Sequence, residues 1–251
     1  MQSQLNMVNA FDLGITQAPI ISIETGEKAD REKVQLIKSQ LIDEPGIESV
    51  TDAIVRNDEL IGIYHVNALV KQKDESFFET VFDAGFVGQD YCTVFDIELK
   101  SGRDFRQDLP EKNSALVNEQ FANKYYKGEA VGKPIYFRDK LYTIIGTVTN
   151  FHYQSLREDL QPMAIFPKHV FADDLEAPLS TSFQIRLDQK NQKRALENIS
   201  EVFAMTYPNV PFNFRYVSEK VKAFYQDDEK NTILTGILGF STIIIAIFGL
   251  V

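Results

Sequence analysis

The sequence predicts an α+β fold of two subdomains, followed by the start of a transmembrane helix. Three patterns predict it: a strand–helix–strand pattern near each chain end, a middle part richer in strand signals, and an uncharged apolar stretch at the end. Two similar terminal units favour one subdomain built from both chain ends, with the middle inserted as a second. The predicted parts are residues 1–75 and 180–230 for the first subdomain with its connecting helix, 76–179 for the inserted subdomain, and 231–251 for the truncated transmembrane helix.

The first strand–helix–strand unit begins with a short, β-branched strand at residues 18–24. Asp30 is then a suitable N-cap for a helix that ends where Pro45 and Gly46 follow. Residues 47–55 are predicted as the second strand. The helix carries an apolar stripe at helical spacing, formed by Val34, Ile37 and Leu41 and widened by Leu36 and Ile42.

The second unit repeats this order near the end of the chain. Residues 181–187 alternate as a strand, and Asp188 is the predicted cap of the helix that follows. The prolines within residues 207–211 end that helix, and residues 212–217 again resemble a strand. Apolar or small side chains recur along the helix at Leu196, Ile199, Val202, Phe203 and Thr206.

The middle of the chain contains mostly strand signals. Asn118 is a good N-cap for a helix whose Phe121, Ala122 and Tyr125 point inward. Residues 91–99 fit either a short helix or a strand. The predicted strands are residues 64–70, 77–86, 115–117, 135–137, 141–149 and 164–166.

The apolar tail predicts a membrane span. As an α-helix, residues 231–251 would be about 31 Å long, which matches the hydrocarbon core of a bilayer. The alternative is a buried core helix, but core helices of this length usually carry a polar face. Acidic residues precede the span and no signal peptide opens the chain. We therefore expect a fragment of a multi-span protein, folded outside the membrane and cut inside the helix that re-enters it.

Composition and motifs give no sign of catalysis. The net charge of −10 argues against nucleic-acid binding, and Cys92, the single cysteine, is predicted to be a buried, inert thiol. The three histidines lie far apart in sequence, without metal-ligand spacing. Residues 128–133 resemble a phosphate loop, but Pro134 stands where a Ser or Thr would bind magnesium. We predict no catalytic site, metal or cofactor.

Four stretches, in this order, resemble the extracytoplasmic core domain of MacB/FtsX-type ABC transporter permeases, in the style of Bacteroidetes-like members. Residues 99–105 are similar to a "GR-x-F" turn, and residues 114–121 to an "LVNE-aromatic" segment. Residues 144–156 resemble an "IIGVV-x-DFH-x-x-SL" stretch, with Asn150 where Asp is commoner. Residues 207–212 are similar to the segment that leads to the second span. The resemblance extends, in the right order, over nearly the whole chain.

The resemblance implies a non-catalytic domain on the periplasmic side of the bacterial inner membrane. It implies a porter-like subdomain of two β-α-β units and a Sabre-like mixed α/β insert. Family members form a permease homodimer or pseudo-dimer and use the ATP hydrolysed by a separate or fused cytoplasmic ABC ATPase. Some join a periplasmic adaptor and a TolC-like outer-membrane channel. The implied function is to transmit movement of the membrane helices to the periplasm for export of peptides, drugs or lipoproteins.

Two groups of residues are candidates for such a role. Val221, Phe224 and Tyr225 form the expected packing side of the connecting helix, where coupling and ordinary core packing use the same residues. Phe151, His152 and Tyr153 are a candidate interaction surface, with packing against the insert as the alternative reading. The alternative function is a membrane-tethered sensory or ligand-binding ectodomain, which requires a deep pocket. An extracytoplasmic hydrolase would require clustered titratable groups.

Overall fold

The computed structural model describes residues 18–26, 31–55, 61–71, 76–106, 111–153, 160–172 and 180–222. Within these ranges, none of the helices is both long enough and apolar enough to span a membrane. The predicted transmembrane helix at residues 231–251 lies outside the described residues, as do Phe224 and Tyr225 of the connecting helix.

In the described ranges, eleven strands form one continuous sheet and six helices lie against it. The strands are β1 Ile20–Glu24, β2 Ile47–Val55, β3 Ile63–Lys71, β4 Phe77–Val87, β5 Leu99–Gly102, β6 Ser114–Asn118, β7 Pro134–Phe137, β8 Lys140–Val148, β9 Met163–Pro167, β10 Ser180–Leu187 and β11 Arg215–Tyr216. The helices are α1 Arg31–Leu41, α2 Tyr91–Phe95, α3 Glu119–Tyr126, α4 His169–Ala172, α5 Gln192–Thr206 and α6 at residues 217–222.

Strands from both chain ends pair at one end of the sheet, in the antiparallel order β11-β1-β10-β2. This is the strand order of a split β-α-β, ferredoxin-like arrangement. Helices α1 and α5 contact each other and cover one face of these strands. Their apolar stripes pack there because every second residue of a strand points to the same face. The core between them includes Ile21, Ile23, Ile37, Leu41, Phe183, Ile185, Leu187, Ile199 and Phe203.

Six of the seven remaining strands close into a barrel, in the order β4-β3-β7-β8-β6-β9, with β9 pairing back to β4 in parallel. The seventh, β5, pairs with β8. All six strands contribute alternate residues to one apolar cluster, which is therefore the barrel interior. Aromatic rings fill it: Phe137 and Phe166 stack at 5.2 Å between ring centroids. Helix α3 adds Phe121, which meets Phe82 edge-on at 5.0 Å.

The α+β class is confirmed, whereas the subdomain boundaries remain a prediction. The predicted boundary between residues 75 and 76 falls inside the β3–β4 hairpin, whose strands pair from Ile63 with Gly85 to Lys71 with Phe77. Pairing therefore places β3 with the barrel rather than with the terminal strands. The two parts of the sheet meet where β2 pairs with β4, at Ala53 and Val87.

Two predictions about helices α1 and α5 are wrong. Leu36 and Ile42 do not widen the buried stripe of α1, since they are 45% and 47% exposed on its outer side. Asp188 does not cap α5, which begins later at Gln192. The Asp188 carboxylate instead accepts hydrogen bonds from the backbone N–H of Lys190 and the side-chain amide of Asn191.

The last predicted strand, residues 212–217, is shorter than expected. Only Arg215 and Tyr216 pair with β1. Before them, the Phe212 ring packs 5.9 Å from that of Phe203 on α5, and the Phe214 ring follows at 5.8 Å from Phe212. Aromatic packing against α5 takes the place of further strand pairing in this segment.

Candidate coupling site at helix α6

Helix α6 ends the described chain and packs into the core that joins the two parts of the sheet. Val217 and Val221 are each 5% exposed and belong to this cluster, which we call the junction core. Burying a valine side chain contributes about 1.5–3 kcal/mol. The junction core includes residues of the terminal strands, of α2 and of the barrel's outer face: Ile20, Ala53, Val55, Val87, Tyr91, Phe95, Leu116, Val148, Phe151, Tyr153, Met163, Ile165, Val217 and Val221.

An ion pair fixes α6 to the first strand. The Lys220 ammonium donates to a Glu24 carboxylate oxygen at 2.9 Å, and the Lys220 side chain is only 2% exposed. The Glu24 side chain is 32% exposed, so its carboxylate remains partly hydrated, whereas the Lys220 ammonium is almost completely withdrawn from solvent.

The sheet face beneath α6 and α2 is polar at its centre. Ser22 and Ser182 are hydrogen-bonded through their hydroxyls at 2.8 Å, and the Gln184 amide donates to the Ser182 oxygen at 3.1 Å. All three side chains are buried. They share this face with Glu24 because residues two apart in a strand point the same way. Helix α6 therefore rests on hydrogen-bonding groups as well as on apolar ones.

The structure brings two of the sequence-predicted groups into one cluster. Val221 lies in the junction core together with Phe151 and Tyr153, whose rings meet at 5.8 Å between centroids. Phe151 is 3% and Tyr153 6% exposed, so both are packing residues here. His152 is half-buried and presents part of its side chain to solvent. A role of these three residues as an interaction surface stays a prediction.

A buried aspartate that sequence reasoning missed holds this segment in place. The Asp83 carboxylate on β4 accepts from the Tyr153 hydroxyl at 2.6 Å and lies 2.6 Å from Nδ1 of His65. Asp83 is 2% exposed, whereas the His65 side chain is mostly exposed. The alternation of β4 placed Asp83 on the barrel's outer face, but only the fold shows that Tyr153 covers it.

Asn118 of the "LVNE" segment is fully buried and holds three backbone groups. Its Oδ1 accepts from the N–H of Phe121 at 2.9 Å, which is the predicted N-cap of α3, and from Met163 at 3.0 Å. Its amide donates to the carbonyl of Gln161 at 2.8 Å. One side chain thus ties β6, α3 and the start of β9 together.

The "LVNE" and "FH" segments bind each other through reciprocal hydrogen bonds. The backbone N–H of Asn150 donates to the Glu119 carboxylate at 3.2 Å, and the Asn150 side-chain oxygen accepts from the N–H of Gln120 at 3.1 Å. The side chain of Asn150 supplies the oxygen that this contact needs.

The "GR-x-F" turn also has a physical explanation. Gly102 has φ +76, and a Cβ there would lie 2.2 Å from the carbonyl oxygen of Ile145, so only glycine fits. The Arg103 guanidinium donates to the buried Glu111 carboxylate at 2.6 Å. Phe105 enters the junction core.

Polar contacts add to the connection between terminal strands and barrel. Asp52 on β2 is 1% exposed and pairs with Lys168, which follows β9. Lys38 on α1 lies 3.6 Å from Asp90, just after β4. The Thr51 hydroxyl donates to the carbonyl of Gln89 at 2.7 Å. These contacts cross the narrow β2–β4 pairing and oppose bending there.

Cys92 and Asp104 are titratable groups whose pKa values the fold shifts. Cys92 is buried, and burial, with Asp104 nearby, raises the pKa of its thiol well above the ordinary value. Such a thiol is a poor nucleophile, as predicted. Burial also raises the pKa of the Asp104 carboxyl. Across the described ranges, no group of three His, Cys, Asp or Glu side chains could hold a metal ion.

The model of the family described as "MacB-like periplasmic core domain" matches residues 3–209 of the chain. This match defines the class of protein: an extracytoplasmic domain of a MacB/FtsX-type ABC transporter permease. Within that class, the chain belongs to the MacB-like periplasmic core domain family. The resemblance indicated by the ordered motifs is thereby confirmed. Membership implies association with a membrane and a cytoplasmic ATPase as partner, and the family is a non-enzymatic one.

A solved structure has the same fold, and a second is similar at a lower score. The periplasmic region of MacB from Actinobacillus actinomycetemcomitans is 15% identical, with a TM-score of 0.56, over 85% of this chain and 94% of that one. The extracellular domain of the noncanonic ABC-type transporter YknZ from Gram-positive bacteria is 13% identical, with a TM-score of 0.49, over 78% and 99% of the two chains. No curated protein sequence matches the chain.

Proposed function

We propose that this domain transmits ATP-driven movement of the permease's membrane helices to the periplasm. The observation that supports it is the anchoring of α6, the element that leads toward residues 231–251, by Val217, Val221 and the Lys220–Glu24 pair. A helix anchored in this way carries a displacement into the sheet instead of bending away from it.

The junction core would distribute that displacement to both parts of the sheet. It contains residues of the terminal strands, such as Ile20, and of the barrel, such as Leu116 and Ile165. Close-packed interiors are poorly compressible and transmit strain. The Asp52–Lys168 ion pair reinforces this connection at its edge. Terminal strands and barrel would therefore move together as a lever.

The remaining parts of the proposal follow from the family. The cytoplasmic ATPase would supply the energy, since we assign no cofactor to this domain. The permease would form a homodimer or pseudo-dimer in the inner membrane, with residues 231–251 as a transmembrane helix. Export of peptides, drugs or lipoproteins, through an adaptor and a TolC-like channel, is the proposed outcome. Nothing in the comparisons favours a sensory ectodomain instead.

The test is a distance measurement in the full permease, assembled with its ATPase in lipid nanodiscs. Leu141 is 51% exposed on β8, so Leu141→Cys provides a spin-label site, while buried Cys92 labels poorly. A second label is placed on the ATPase. Pulsed electron resonance should show a shift in the distance distribution when ATP is trapped with vanadate. An identical distribution with and without ATP would refute transmission of movement.

A further inference from the structure

The first half of β4 is an exposed strand edge outside the closed part of the barrel. Strand β3 pairs with β4 along its whole length, from Lys71 with Phe77 to Ile63 with Gly85. On the other side, β9 pairs with β4 only from Asp83 onward. Among the described residues, β4 therefore has no strand partner on that side over residues 77–82.

Backbone hydrogen-bonding groups project from this edge. The N–H of Asp83 donates toward β9, to the carbonyl of Pro162, at 2.9 Å. In an antiparallel strand, both backbone groups of a residue point to one side and alternate along the chain. The N–H and C=O groups of Phe77, Glu79 and Val81 therefore face the open edge.

The side chains along the edge are apolar and exposed. Phe77 is 48%, Phe78 49% and Val81 54% exposed, whereas the second half of the same strand is buried. The Phe77 ring has a neighbour, Tyr136, at 6.5 Å between centroids, but nearly half of its surface remains in solvent. Natural proteins usually protect long apolar edges by charge, proline or cover, because such edges bind other strands.

The Glu79 carboxylate makes this edge favour a positively charged side chain on an incoming strand. Its side chain is exposed and lies between those of Phe77 and Val81 on one face, opposite Leu69 on β3. An incoming strand would place its own residue opposite Glu79, where a basic side chain is favourable and an acidic one unfavourable.

We propose that the open edge of β4 binds an extended segment of a partner protein by strand addition. The segment has apolar residues at alternate positions and a Lys or Arg opposite Glu79. Main-chain hydrogen bonds to Phe77, Glu79 and Val81 would hold it, and the Glu79 carboxylate would select it. A second copy of this chain fits less well, because antiparallel self-pairing about Glu79 places two carboxylates opposite each other.

The test uses the full chain in mild detergent and two fluorescein-labelled peptides of alternating valine and threonine. One peptide has a central lysine and the other a central glutamate, and fluorescence anisotropy measures binding. The lysine peptide should bind more tightly. Glu79→Lys should weaken it by about three- to fivefold, as expected for a solvent-exposed charge pair, and should strengthen binding of the glutamate peptide. Glu197→Lys, on the exposed face of α5, is the matched control and should change neither affinity.

A second variant separates backbone pairing from charge. Val81→Pro removes an N–H that faces the open edge and leaves the β3 pairing intact, since proline is tolerated on edge strands. Val81→Pro should lower the affinity for both peptides by about fivefold or more, while the circular dichroism spectrum of the chain stays unchanged. Equal affinity for the two peptides, or full binding by Val81→Pro, would overturn the proposal. Self-association of the peptide-free chain that Val81→Pro abolishes would assign the edge to a second copy and overturn it too.

Discussion

Lys220 and Glu24 lie 196 residues apart in the chain, yet their ammonium and carboxylate are 2.9 Å apart. This contact joins α6, the last described helix, to β1, the first described strand. It is also asymmetric, since the Lys220 side chain is 2% exposed and that of Glu24 is 32% exposed. Neutralising one partner should therefore change the stability of the domain by a different amount than neutralising the other.

Neutralising Glu24 should cost more stability than neutralising Lys220. Glu24→Gln removes a carboxylate charge that faces a buried ammonium and should destabilise the domain by about 1–3 kcal/mol. Lys220→Met replaces the buried cation with an apolar chain of similar length and should cost less than half as much. Urea unfolding of the full chain in mild detergent, followed by circular dichroism, measures both. The opposite order would show that the ion pair does not hold α6.

Among the polar residues of the four motif segments, Asn118 should be the least replaceable. Asn118→Ala removes a helix cap and two further backbone contacts, and should cost about 2–4 kcal/mol. Asn118→Asp keeps the oxygen that accepts from Phe121 and Met163 but loses the donor to Gln161. The stability of Asn118→Asp should lie between those of Asn118→Ala and wild type in the same unfolding assay. Equal stability of the alanine variant and wild type would contradict this assignment.

Phe151 and His152 are neighbours, but replacing each with alanine should change the stability of the domain by very different amounts. Phe151→Ala opens a cavity in the junction core and should cost about 3–5 kcal/mol. His152→Ala, at a half-buried position, should change stability by at most about 0.5 kcal/mol. A transport defect in His152→Ala with normal stability would support the predicted interaction surface. A small loss for Phe151→Ala would show that the junction core is loosely packed.

Glu111 should make stability depend on acidic pH. Burial raises the pKa of its carboxyl, but hydrogen bonds from Arg103, Ser114 and the Arg106 backbone outweigh burial and bring the pKa below the ordinary value. Such a group stabilises the fold above its unfolded-state pKa, and this contribution is lost as the pH falls through the lowered pKa. Glu111→Gln should therefore be less stable than wild type at pH 7, with the difference shrinking toward pH 3. A constant difference across that range would contradict this assignment.

The periodic features of the sequence predicted most of the fold. The apolar stripe of α1, the strand positions and the Asn118 cap depend on local spacing, so they were recognisable without the structure. The closure of the barrel by pairing of β4 with β9 could not be recognised from the sequence, because pairing between strands so far apart in the chain leaves no local pattern. The same limit applies to the site: Val221 was a candidate from its helical position, whereas Lys220–Glu24 and Asp83–Tyr153 join residues far apart in sequence.

The central claim is that α6 carries movement stiffly from the membrane into the domain. Lys222→Gly with Ala223→Gly should loosen the predicted connecting helix just beyond the anchored residues of α6, because glycine destabilises a helix interior by about 1 kcal/mol per residue relative to alanine. Lys193→Gly with Arg194→Gly, on the exposed face of α5, is the matched control. The nanodisc experiment is repeated with labels at residue 141 and on the ATPase. The ATP-dependent distance shift should disappear in the α6 variant and persist in the control, while the domain stays folded in both variants. An undiminished shift in the α6 variant would contradict the account.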